Sequence, residues 1–156
     1  MSIPDHPVPD AVTGVVVGDD GSGRALEAIE YAAEEAARRG TSLTVVRAWN
    51  IKNAVRPADV GPGVIPSTQE FQDATEAHTR ARAESVAARF DVPVHAMALH
   101  GSPTKALLQL SRTADVVVVG DRGVTGLAGR IIGSVADTVV REAECPVVVV
   151  RRRQDG

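Results

Sequence analysis

Apolar and polar positions along the chain fall into short blocks that alternate between two periods. Val12–Gly18 (VTGVVVG) is an apolar, β-branched run of the kind that forms a strand buried on both faces. In the next block Leu26, Ile29, Ala33 and Ala36 recur at helical spacing. Ser22 can cap the start of that helix, and Gly40 sits where a left-handed terminal residue belongs. Glu34–Arg38 and Glu35–Arg39 are i,i+4 pairs in the favourable order. A second strand, SLTVVRAW, follows at once. Residues 50–67 carry Asn53, Pro57, Gly61, Pro62, Gly63 and Pro66, which break any period and predict a long loop. Loops of this length in compact domains are often functional. Ser67 and Glu70 have capping-box spacing and open a helix running to about Phe90. Val92–His100 is a third strand. Ser102-Pro103 begins a helix that turns Ala106, Leu107 and Leu110 inward and ends near Thr113. Asp115 leads into a fourth strand, Val116–Val119. A short last helix to about Glu144 carries Val135, Val139 and Val140 as its apolar face, and VVVVR is the fifth strand. The order βαβαβαβαβ, with strands this apolar, predicts a mostly parallel sheet covered on both faces, with right-handed crossovers. Periodicity does not give the strand order.

Composition narrows the class. A chain of 156 residues fits one domain with a proper core. Aromatics are only 3%, so the core must be built of Val, Ala, Leu and Ile. No apolar run approaches the ~18–20 residues of a membrane span. The start, MSIPDHPVPD, lacks a basic and apolar leader and reads as an extended arm with three prolines. These features make the cytoplasm the expected compartment. One cysteine, Cys145, excludes an internal disulfide framework and is expected to be a small buried residue. With a net charge of −3 and basic residues gathered only at Arg151–Arg153, a nucleic-acid partner is not expected. His78, His95 and His100 do not have metal-ligand spacing.

In open α/β sheets ligands bind beyond the carboxyl ends of the strands, where the strand order reverses. Two strand ends stand out. The first runs into GDDGSG, Gly18–Gly23, and the fourth into GDRGVTGLAGRIIGSVAD, Gly120–Asp137. Glycines let backbone N–H groups converge on an anion, and a helix starting at Gly133-Ser134 would add its own unpaired N–H groups. Ser134, Arg122 and Arg130 add polar groups, and Asp20 can accept hydrogen bonds from ribose hydroxyls or amides. Glycine-rich turns also serve simply as flexible connections, so both readings stand at this level. A P-loop and a G-x-G-x-x-G fingerprint are both absent. Trp49, at a strand end, has two readings, against a base or under the 50–67 loop.

Gly120-x-x-Gly123, nine residues, then Gly133-Ser134 resembles the G-2x-G-9x-G-[ST] motif of the universal stress protein family, in its ATP-binding form. VVVGDDGS resembles that family's first strand and turn, and ECPVVVVR its last strand. The resemblance implies a single five-stranded parallel sheet of order 3-2-1-4-5, Rossmann-like, spanning residues 11–152 between an arm (1–10) and a tail (153–156). It implies ATP, with Mg2+, bound across the first and fourth strands. Gly18, Asp19 and Asp20 match the nucleoside turn and Ala48 a backbone position beside adenine. Val119 would wall the base. Gly120, Gly123, Gly133 and Ser134 match ribose and phosphate positions, with Val135 following, and Arg122 is a candidate phosphate contact. Asp19 stands where the family often has an apolar residue, and is expected to be a solvated second aspartate. Ala136 replaces a frequent Ser or Thr. The resemblance further implies a homodimer paired through Val147–Arg151. No residue pair presents a general base, so the implied role is a nucleotide-dependent regulator in stress response with at most slow ATP hydrolysis. The alternatives are a cyclic-AMP or AMP binder, an ATP-cleaving adenylating enzyme, and a scaffold without nucleotide.

Overall fold

The computed structural model describes residues 12–121 and 132–151, so the expected arm (1–10) and tail (153–156) lie outside the described residues. Among these residues five strands alternate with four helices: β1 (Val15–Gly18), α1 (Gly23–Arg39), β2 (Leu43–Trp49), α2 (Thr68–Ala87), β3 (Val94–His100), α3 (Pro103–Leu110), β4 (Val116–Gly120), α4 (Ser134–Glu142) and β5 (Val147–Val150). The sheet is parallel throughout, in the order β3-β2-β1-β4-β5. The fold is therefore the five-stranded open α/β sheet anticipated above.

Local chemistry explains where the elements begin. Ser22 caps α1 by accepting from the Ala25 N–H, and Gly40 closes the helix at φ 63°. The Ser67–Glu70 capping box is complete at α2. Ser102 caps α3 ahead of Pro103. The helix read as running to Phe90 stops at Ala87, and the chain then turns through Asp91 at φ 51°.

Strand side chains alternate between two cores. On one face Val15, Val17, Leu43, Val45, Val116 and Val118 pack with the small residues Ala28, Ala32, Ala33 and Ala36 of α1 and with Ala83, Val86 and Ala87 of α2. On the other, Val16, Val46, Val117 and Val119 meet Ala106, Leu107 and Leu110 of α3 and Val139 of α4. One expectation for α4 fails: Val140 is 49% exposed. The physical reason is position, since α4 packs beside β5, an edge strand whose four valines are themselves only half-buried.

β1 is hydrogen-bonded to β2 on one side and β4 on the other. The chain works outward from β1 to β3, then crosses back to β4. The order reverses between β1 and β4, and their carboxyl ends diverge into a crevice.

Candidate functional site

At the carboxyl ends of β1, β2 and β4 lies a cavity of about 650 Å3. It is lined by Gly18, Asp19 and Asp20 from β1 and its turn, Ala48 from β2, Val119 and Gly120 from β4, and Gly133, Ser134 and Val135 at the start of α4. Nine of the eleven residues singled out in the sequence thus surround one crevice. The other two, Arg122 and Gly123, lie outside the described residues.

Each wall has a local cause. Gly18 ends β1 where α3 comes close: a Cβ there would stand 3.2 Å from Leu107 Cδ1. The Asp19 N–H continues the ladder by donating to Val46 O at 2.8 Å. The turn then folds on itself, with the Gly21 N–H donating to Asp19 Oδ1 and the Ser22 N–H to Asp20 Oδ1, both at 2.9 Å. Across the crevice, a Cβ on Gly120 would meet no described residue within 4 Å, so among these residues the end of β4 stands open. α4 begins differently from the other three helices. Its N-cap is Gly133, which makes no side-chain capping bond. The first-turn N–H groups of Ser134, Val135 and Ala136 therefore have no side-chain acceptor at the cap, and these residues line the cavity. Such a terminus attracts anions.

Asp19 corrects an expectation. Its side chain is not a solvated second carboxylate; it is fully buried and ion-paired with Arg82 of α2. Arg82 Nε donates to Asp19 Oδ2 and Nη2 to Asp19 Oδ1, both at 2.9 Å, and Nη2 also reaches Ser22 O at 2.7 Å. Beside this pair, Arg47 Nη1 donates to His78 Nδ1 at 3.1 Å, and Nη2 donates to Asn53 O at 3.1 Å. Arginine only donates, so His78 is neutral there with its proton on Nε2. Lost hydration and the neighbouring Arg47 and Arg82 push the His78 pKa below its usual value.

Other side chains find their places away from the crevice. Trp49 is buried beneath α2 and the start of the long loop, with its Nε1 donating to Gln72 Oε1 at 2.6 Å and its ring beside Phe71 and His100. Cys145 is half-buried, and burial pushes its thiol up, away from a reactive thiolate. Among the described residues no group of three or more His, Cys, Asp or Glu side chains is placed to hold a metal ion. Sequence reasoning missed Arg24, Glu27, Asn53 and Asp121, which also line the cavity. The first two were legible only as exposed helix positions, although their place in the first turns of α1, beside the Asp20 turn, was a usable signal.

The model of the universal stress protein family matches residues 13–151. The chain is 36% identical over 163 aligned positions to universal stress protein Rv1996 of Mycobacterium tuberculosis, covering 98% of this chain and 49% of that protein. It spans about half the length of the curated relatives it matches. Among solved structures, a universal stress protein in complex with cAMP is similar at a TM-score of 0.66 and 28% identity, covering 90% of this chain and 98% of that one. The UspA protein of Lactobacillus plantarum is similar at a TM-score of 0.66 and 26% identity, covering 90% and 99%. With the family's pattern matched from β1 to β5, the chain belongs to the universal stress protein family.

Proposed function

We propose that the crevice binds an adenine nucleotide, ATP, and that the chain acts as a nucleotide-dependent regulator in stress response rather than as an enzyme, with at most slow ATP hydrolysis. One observation carries this reading: the Asp20 turn, the open end of β4 at Gly120 and the uncapped start of α4 all line a single cavity. The base would lie toward Ala48 and Val119, and the ribose near Asp20. The phosphates would lie toward Gly120, Gly133 and Ser134, with Arg122 and Gly123 of the same segment as further contacts. The spacing Gly120-x-x-Gly123-x9-Gly133-Ser134 favours a polyphosphate over a nucleoside alone. Mg2+ would arrive on the phosphates and keep much of its water, as this ion commonly does, since the described residues do not form a cage for it.

A second reading is supported by the relative solved with cAMP: that nucleotide, or AMP, is the preferred ligand. Two experiments separate the readings. Mass spectrometry of nucleotide released on denaturing the purified protein identifies what it carries. Calorimetric titration of ATP, AMP and cyclic AMP then ranks them; if none binds more tightly than millimolar, the nucleotide reading fails. Appreciable conversion of ATP to ADP would favour an ATP-cleaving enzyme instead.

We also propose a homodimer through Val147–Arg151. β5 is a sheet edge of half-buried valines, and an apolar edge invites strand pairing. Light scattering at micromolar protein should give twice the chain mass, and a monomer there overturns the proposal.

A further inference from the structure

Resting on the nucleotide reading above, we propose that Asp19 and Arg82 are positioning residues, which fix the nucleoside-binding turn from beneath without touching the ligand. The two aspartates of GDDGSG have opposite duties. Asp20 lines the crevice. Asp19 also belongs to the crevice wall, but its carboxylate is fully buried and paired with Arg82 of α2.

The contacts bracket Asp20. On its N-terminal side, Arg82 grips both oxygens of Asp19 in a bidentate pair. On its C-terminal side, the same Nη2 holds the carbonyl of Ser22, the residue that caps α1. Asp19 Oδ1 also accepts from the Gly21 N–H. The backbone on either side of Asp20 is therefore tied to one guanidinium that comes from 63 residues away in sequence. The Arg47 guanidinium packs close against the turn at Gly21. Its Cζ and both Nη atoms would stand 2.8–2.9 Å from a Cβ on Gly21, and it is anchored to Asn53 O, whose residue also lines the cavity. A plain tether of α2 to the sheet would not need this arrangement, because Ala83, Val86 and Ala87 already bury α2 against the core. A turn held in its bound geometry before the ligand arrives binds more tightly, because less ordering remains to be done. The planar fork of arginine suits this duty and a lysine point charge does not.

The experiment compares the full chain with Arg82→Met, Arg82→Lys, Asp19→Asn and the Asp19→Asn/Arg82→Met double variant. Far-UV circular dichroism confirms folding, and Arg82→Lys keeps a buried cation should Arg82→Met fold poorly. Calorimetry reads affinity for adenosine, ATP and inorganic tripolyphosphate. Hydrogen exchange reads the Gly21 and Ser22 amides. Arg82→Met should weaken adenosine and ATP by the same factor, roughly ten-fold, about the size of one net hydrogen bond to a charged group, and leave tripolyphosphate unchanged. Asp19→Asn should match it, and the double variant should be no worse than either single one. Arg82→Lys should recover only part of the loss. The Gly21 and Ser22 amides should exchange faster in all four variants, while those of β4 stay as they were. Unchanged adenosine affinity, an equal loss for tripolyphosphate, or unchanged exchange at Gly21 and Ser22 overturns the proposal. Should the unaltered protein bind neither adenosine nor ATP, the nucleotide reading falls, and with it the ligand role of this pair. The exchange data would then show separately whether the pair holds the turn.

Discussion

Replacing Gly21 with alanine tests the turn at its tightest point. Gly21 has φ +82°, in the left-handed region, where a Cβ costs roughly 1–2 kcal/mol. The added carbon would also lie 2.8 Å from Arg47 Cζ and Nη2 and 2.9 Å from Nη1. The guanidinium must then move. Arg47 is 7% exposed and holds Asn53 O and His78 Nδ1 at 3.1 Å each, so moving it weakens two bonds. Each hydrogen bond to a charged group is worth about 1.5–3 kcal/mol, of which the relaxed side chain keeps part. The expected total is about 2–4 kcal/mol. For a chain of 156 residues that corresponds to a fall of about 5–15 °C in Tm. Gly40→Ala is the control, because Gly40 also has positive φ, +63°, but an added Cβ there meets nothing within 4 Å. It should cost only the backbone strain, about 1–2 kcal/mol. Urea unfolding measures both. The Gly21→Ala cost should also fall toward that of Gly40→Ala in an Arg47→Met background, where the obstructing group is gone. Equal costs for the two glycines, or strict additivity of Gly21→Ala with Arg47→Met, would refute the reasoning.

Three further outcomes are expected. Gly120→Ala should leave Tm within a degree or two, since an added Cβ meets none of the described residues, yet weaken ATP in calorimetry because Gly120 lines the crevice; undiminished ATP binding would place the ligand elsewhere. Arg24→Ala should weaken ATP more than adenosine, because Arg24 is the single cation among the described residues lining the cavity; equal losses for the two ligands would contradict a phosphate role. Stability should fall as pH drops from about 6.5 toward the lower folded pKa of His78, because the unfolded ring takes up a proton that the folded ring, beside Arg47 and Arg82, resists while Asp19 opposes them only in part. The effect is modest for so exposed a ring, and His78→Gln should flatten the urea midpoint between pH 7 and 5; an identical slope in both proteins would dismiss it.

What the sequence disclosed was mainly local. Ser22, Ser67 with Glu70, and Ser102-Pro103 announce three helices because capping depends on residues three apart. The strand order did not come from periodicity, because strands apolar on both faces carry no mark of their neighbours; it came from the likeness to a family. Ala48, Val119 and Val135 likewise came from that likeness, whereas Gly18, Asp19, Asp20, Gly120 and Gly133 were legible because glycines and aspartates cluster at two strand ends. The Asp19–Arg82 pair was not, since nothing local at either residue reveals a partner 63 positions away. Val140 misled because helical period identifies an apolar face but not whether the sheet extends far enough to cover it.

The buried pair also alters the charge of the crevice. Read as a sequence, GDDGSG places two negative charges at the nucleoside end, an awkward neighbour for a polyanion. In the fold, Asp19 is buried and its charge is balanced by Arg82. Among the described lining residues that leaves Asp20, Glu27 and Asp121 against Arg24. This lining remains net acidic, so side-chain charge from these residues does not draw a triphosphate in. For the proposed triphosphate, the attraction would come from backbone N–H groups at the start of α4, from Arg24 and from a divalent cation carried on the phosphates. Backbone donors act at short range and with fixed direction. A site that relies on them needs the ligand's nucleoside end held in register, and the turn that would do this is the one Arg82 braces.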